Sequence, residues 1–301
     1  MFGRSLALAL VLLGVAAGAR GDAHLEAIVR GDGPGAPLSG LQVSLMEGGE
    51  AAASHAYGFA QLGPEGPLAL RRDHRIRVAS ISKLVVAIGV MQLVERGALD
   101  LDADVSATLG FELRNPAFPD TPITARQLLA HTSSLRDGSA YFIPAGRGEM
   151  RDFFTPGGAY WNDGAHFASE PGRGPGSFFT YSNLGFGVLA ALVERATEQR
   201  FDRFMARSVL EPLGIAARFD PCKIGPGQLA AAFRKRAPGE GWDPDGPWVP
   251  QVDAGVPRCF YGMAELDAPE AFLADYVPGS NATLFSPQGG LRASADDLVV
   301  V

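Results

Sequence analysis

Lysine is nearly absent from this 301-residue chain: Lys83, Lys223 and Lys235 are the only three, and arginine carries the rest of the positive charge. Cysteine is scarcer still, with Cys222 and Cys259 alone, too few for a disulfide framework. The five histidines, His24, His55, His74, His131 and His166, show no metal-ligand spacing with each other or with the cysteines. That pattern argues against a zinc site, and no metal or organic cofactor is implied. Net charge is −7, and the one basic cluster, from Arg71 to Arg77, is short. A nucleic-acid-binding role lacks its electrostatic footprint. Apolar runs long enough to cross a bilayer are missing as well.

The two cysteines leave a choice. In an oxidising compartment they can pair across a Pro- and Gly-rich region, but spacing equally admits two separate thiols. Export is expected from the N-terminus: Arg4 supplies a positive end, Leu6 to Val15 an apolar stretch, and Ala17-Gly18-Ala19 small residues for cleavage, with Ala23 as a second point. A signal peptide over residues 1–23 and one domain over residues 24–301 follow, placing the mature protein in the periplasm or outside the cell with no transmembrane segment. The oligomeric state is not encoded in any pattern.

Against this background the placement of Lys83 stands out. Ser80-Ile81-Ser82-Lys83 opens an apolar helix that runs to Gly97, a residue suited to the left-handed position closing a helix. Positions three apart share a face, so the Lys83 amine lies beside the Ser80 hydroxyl. Arginine stays protonated at any working pH, whereas a desolvated lysine can take a proton and activate the serine. The helix is apolar on nearly every side and is expected to be a buried central element. A second candidate pair, Tyr181 and Asn183, lies on a loop ahead of another helix; the phenol can relay a proton and the carboxamide can bind Lys83 and substrate.

Around these residues the pattern predicts a hairpin of Leu41, Val43 and Leu45 with Ala52 to Leu62, turning at Gly48-Gly49. Thr124 caps a short helix to Ala130, and further helices cover Leu184 to Ala196 and Phe201 to Leu210. Residues 136–179 are expected to be irregular, and the stretch beyond Pro221 up to about residue 283 loop-rich. Ser294-Ala295-Asp296-Asp297 starts another helix, of which only Leu298 to Val301 follow, so the chain is expected to stop partway through an element.

The segments Arg77 to Lys83, Thr124 to Leu135, Tyr181-Ser182-Asn183, Glu211 to Ile215 and Gly289 to Ser294 together resemble the serine β-lactamase and penicillin-binding protein superfamily. The likeness is to the branch of class C β-lactamases, D-alanyl-D-alanine carboxypeptidases and esterases. It implies an α/β fold of the β-lactamase/transpeptidase type, an antiparallel sheet flanked by helices plus a mainly helical subdomain. It makes Ser80 the acylated nucleophile, Lys83 and Tyr181 its acid-base partners, and Asn183 a substrate contact. The family's third motif, Lys or His before a small residue and Gly, lies on a later strand that also donates to the oxyanion; it has no counterpart here, and the C-terminal sheet strands are expected to be missing from this chain. Ser134 stands where many relatives have Gly. The implied function is an exported serine hydrolase acting through an acyl-enzyme on an amide, ester or β-lactam carbonyl, its substrate a small molecule or a peptidoglycan peptide. The alternative is a non-catalytic cell-wall-binding or acyl-trapping protein.

Overall fold

The computed structural model describes residues 22–32, 35–225, 227–236, 241, 243, 245–255, 260 and 269–301. Residues 1–21, which carry nearly all of the expected export signal, and Cys259 lie outside these. In chain order the described residues form helix α1 (residues 22–30) and strands β1 (Gly40–Glu47), β2 (Glu50–Gly63) and β3 (Gly66–Ala69). Helices α2 (Ser82–Glu95), α3 (Val105–Leu109), α4 (Ala125–Leu129), α5 (Asn183–Thr197), α6 (Phe201–Phe204), α7 (Pro269–Ala274) and α8 (Ala295–Val300) follow. The mixture of helices and antiparallel sheets is of the expected α/β class. Two compact units emerge, one of Met1–Ile76, Gly225–Val256 and Ala293–Val300, the other of Arg77–Ile224 and Pro257–Arg292 with Val301.

In the first unit β1, β2 and β3 form an antiparallel meander. Glu47 pairs with Glu50, leaving Gly48-Gly49 as a two-residue loop with both φ angles positive, at 61° and 86°. Glycine adopts that region without penalty, and the turn's twist matches that of the strands. Ala60, Leu70 and Ala230 pack as a small core. Among the described residues of the stretch from Pro221 to about residue 283, expected to be loop-rich, Ala232–Lys235 and Trp248–Val252 pair antiparallel and α7 follows. Phe59 packs edge-on against Phe233 and Trp248, which supplies the burial that periodicity over so few residues does not reveal. The Ser294 cap forms as expected: Asp297 N donates to Ser294 Oγ at 3.0 Å and Ser294 N to Asp297 Oδ2 at 2.9 Å. Helix α8 lies against β1, where Gln42 Oε1 accepts from Ala295 N.

The second unit is mainly helical and is organised around α5, whose residues Leu184 to Glu194 are all buried. It packs against α2, α3, α4, α6 and the turn Ala282–Phe285. Thr124 caps α4 through a reciprocal pair with Gln127. The stretch beginning at Phe201 departs from a single α-helix: after α6 the hydrogen bonding widens to π geometry over Met205–Leu210. Gly89 of α2 explains the close approach there, since a Cβ would lie 2.8 Å from Met205 Sδ. Glu194 is buried and accepts from Phe201 N at 2.8 Å, Tyr276 Oη at 2.7 Å and Gly279 N at 2.7 Å, tying α5 to α6 and to the residues after α7.

Helix α2, expected to be a buried central element, is buried along one side and exposed along another. Its Val85, Val86, Gly89, Val90 and Leu93 face the core, but Leu84 and Met91 are 59 and 41 % exposed, as is Ile81 just before the helix at 50 %. Apolar composition on all sides shows only that every face is able to be covered. Here the helix packs against α5 and residues 205–210, and one face stays open.

Candidate active site

The backbone before α2 is shaped to present one serine and bury the other. Ala79 has φ of +46°, an uncommon conformation for a residue with a Cβ, and begins a 3₁₀ turn over Ala79–Ile81. Val78 N donates to Leu291 O at 2.9 Å. Ser82 Oγ donates to Ala79 O at 2.6 Å and accepts from Leu291 N at 3.0 Å, so this hydroxyl fixes the turn. Gly290 is needed alongside: a Cβ there would meet Ser286 Cβ and O at 2.7 Å. Ser80, by contrast, stays exposed.

All four residues singled out in the sequence meet. Tyr181 Oη donates to Ser80 Oγ at 2.7 Å, and Lys83 Nζ donates to the same oxygen at 3.2 Å. Lys83 Nζ also donates to Asn183 Oδ1 at 2.9 Å and to Gln288 O at 2.7 Å. At 7 % exposure Lys83 does not reach for solvent. Its three acceptors match the three donors of an ammonium, and they point the amine at Ser80. The amine also lies 4.8 Å from the centre of the Tyr181 ring and 5.4 Å from that of Phe186.

The site's electrostatics follow from this geometry. Burial pushes the Tyr181 phenol up, but the nearby Lys83 amine and the bond to Ser80 outweigh it, leaving the phenol below its ordinary range. Burial, and then the Lys83 charge, hold His131 below the usual imidazole range. His131 Nδ1 accepts from Ser182 N at 3.1 Å, which puts the proton of the neutral ring on Nε2. The ring lies 4.4 Å from that of Tyr181 and supports the phenol from behind.

Sequence reasoning missed three contributors: the His131 ring, the Gln288 carbonyl and Asp137. The last accepts from Asn183 Nδ2 at 2.7 Å and gathers the start of α5 through Asn183 N, Leu184 N and Ser182 Oγ. His131 lay within a quoted segment without a role, while Asp137 sits in an irregular stretch where no spacing rule applies. Ser134 takes the left-handed conformation that favours glycine, at φ +66°, and its Oγ accepts from Asn115 Nδ2 at 2.9 Å. Among the described residues no cluster of His, Cys, Asp and Glu is arranged to hold a metal ion.

Comparison with known proteins gives the family and the fold. A family model described as Beta-lactamase matches residues 25–301. The chain is 29 % identical over 199 residues to Penicillin-binding protein 4* of Bacillus subtilis (strain 168), covering 64 % of this chain and 40 % of that protein. It is 33 % identical over 192 residues to Esterase EstB of Burkholderia gladioli, covering 59 % and 46 %. The chain thus spans less than half the length of these relatives. Among solved structures, EstCE1, a hydrolase with promiscuous acyltransferase activity, shares the fold with a TM-score of 0.63 at 22 % identity, covering 94 % of this chain and 70 % of that one.

Proposed function

The chain belongs to the beta-lactamase family, and on that premise we propose that it is an exported serine hydrolase whose Ser80 is acylated by an amide, ester or β-lactam carbonyl. One observation carries the reading: the Ser80 hydroxyl is held between the Tyr181 phenol at 2.7 Å and the Lys83 amine at 3.2 Å. Both are within the reach that a general base needs.

In this mechanism the Lys83–Tyr181 pair takes the Ser80 proton as Oγ bonds to the carbonyl carbon. Tyr181, 45 % exposed at the mouth of the site, then gives a proton to the leaving nitrogen or oxygen. Water repeats the sequence to release the acid and restore Ser80. Asn183 spends Oδ1 on Lys83 and one Nδ2 hydrogen on Asp137, which leaves the second Nδ2 hydrogen for a substrate carbonyl. The substrate is a small molecule or a peptidoglycan peptide. Export, to the periplasm or beyond, is supported by the Arg4-led apolar N-terminus.

Labelling with a fluorescent penicillin or a fluorophosphonate tests the assignment. Ser80→Ala is expected to lose the label while melting as the parent does, because only one oxygen is removed. Labelling of Ser80→Ala at the parent rate would exclude Ser80 as nucleophile. With the penicillin, whose acyl group a hydrolase can release, stable labelling without release would favour an acyl trap over a hydrolase.

A further inference from the structure

We propose that Asp137 is a positioning residue that sets which end of the Asn183 carboxamide faces Lys83 and thereby holds the amine on Ser80. The inference rests on the reading of Ser80 and Lys83 as the acylating pair. A carboxamide has a donor end and an acceptor end of nearly equal size, so its shape alone does not fix its orientation. Here each end meets a partner that accepts only one answer. Lys83 Nζ, with no acceptor once protonated, meets Oδ1 at 2.9 Å; the Asp137 carboxylate, with no donor, meets Nδ2 at 2.7 Å. Turning the amide over would set donor against donor at Lys83 and acceptor against acceptor at Asp137.

The carboxylate is itself held firmly. Oδ1 accepts from Asn183 N at 2.5 Å, Leu184 N at 3.0 Å and Ser182 Oγ at 3.2 Å, which leaves Oδ2 aimed at the Asn183 amide. Ser182 Oγ accepts from Gly185 N at 3.1 Å and caps α5 by its own bond. The helix therefore has a cap of its own, and the bond from Oδ2 lies outside capping. It joins a loop residue to the amide that holds Lys83, 100 positions earlier in the chain than Asn183.

Asp137→Asn separates positioning from support. Its Oδ1 can still accept the backbone N–H groups at the start of α5, but its Nδ2 meets the Asn183 Nδ2 as donor against donor. The saturating rate of Ser80 acylation by a fluorescent penicillin is expected to fall about 10- to 100-fold, with half-saturating concentration and melting temperature near the parent's. The exchange Asp137→Asn with Asn183→Asp restores one donor and one acceptor at the junction and is expected to recover part of the lost rate. A parent-like rate in Asp137→Asn, or a rate loss that only tracks a lower melting temperature and is not relieved by the exchange, would overturn the proposal. The Asn183 side-chain amide protons give a second readout by NMR: they should move in Asp137→Asn, and unchanged resonances would count against the orienting bond. A parent protein that takes no label would strike the Ser80 reading instead, while the amide resonances still decide the role of Asp137.

Discussion

Lys83 meets three acceptors at once, and that geometry is what arginine cannot reproduce. Lys83→Arg keeps the positive charge but replaces a compact amine by a planar fork that does not give up its proton. Labelling of Ser80 in this variant is expected to fall by at least 100-fold, read as the initial rate with the same penicillin probe. Tyr181 supplies a pH dependence whose sign is fixed by its surroundings. Its phenol lies below the ordinary range because, against burial, the nearby Lys83 amine and the bond to Ser80 prevail, so the phenolate appears at lower pH than in a free tyrosine. The acylation rate should rise with pH and level off below pH 10, and Tyr181→Phe should remove that rise; a pH–rate profile of both proteins checks it. Lys83 was legible in the sequence because a chain that favours arginine had kept a lysine in an apolar helix, three residues after a serine. Asp137 was not, since its partner amide lies 46 residues away and only the fold brings the two together.

At the level of elements, short-range chemistry was readable and packing was not. The Gly48-Gly49 turn, the Thr124 cap and the Ser294 cap each depend on residues within a few positions, and each forms. The hairpin Ala232–Lys235 with Trp248–Val252 and the π stretch Met205–Leu210 depend on distant contacts, with Phe59 in one case and with Gly89 in the other. The Gly289-Gly290-Leu291 segment carries part of the family likeness, and locally it backs the turn that presents Ser80. Gly290→Ala would force a Cβ to within 2.7 Å of Ser286 Cβ and O. Overpacking of this kind costs roughly 1–3 kcal/mol, so the denaturant midpoint should drop and labelling of Ser80 should slow with it.

At the scale of the whole molecule, the α/β class followed from the sequence, while the buried charge in the helical unit did not. Glu194 has its pKa raised to about 7, chiefly by burial, against the opposing bonds from Phe201 N, Gly279 N and Tyr276 Oη. In the unfolded chain the same carboxyl titrates near its ordinary value, so between that value and about pH 7 the folded form binds the proton more tightly. This group's contribution is therefore complete at low pH, is lost as pH rises through that window, and levels off above it. Melting temperatures across pH 4.5–7.5 should carry this slope, and Glu194→Gln should flatten it.

The open side of α2 has a practical consequence for anyone handling the protein. Leu84 and Met91, with Ile81 of the turn just before the helix, offer an oily strip on a folded element, so a dye such as anilinonaphthalene sulfonate should brighten in the native protein. That signal is ordinarily taken as a mark of lost tertiary packing. Here it would report an intact surface, and near-ultraviolet circular dichroism would be the sounder test of foldedness.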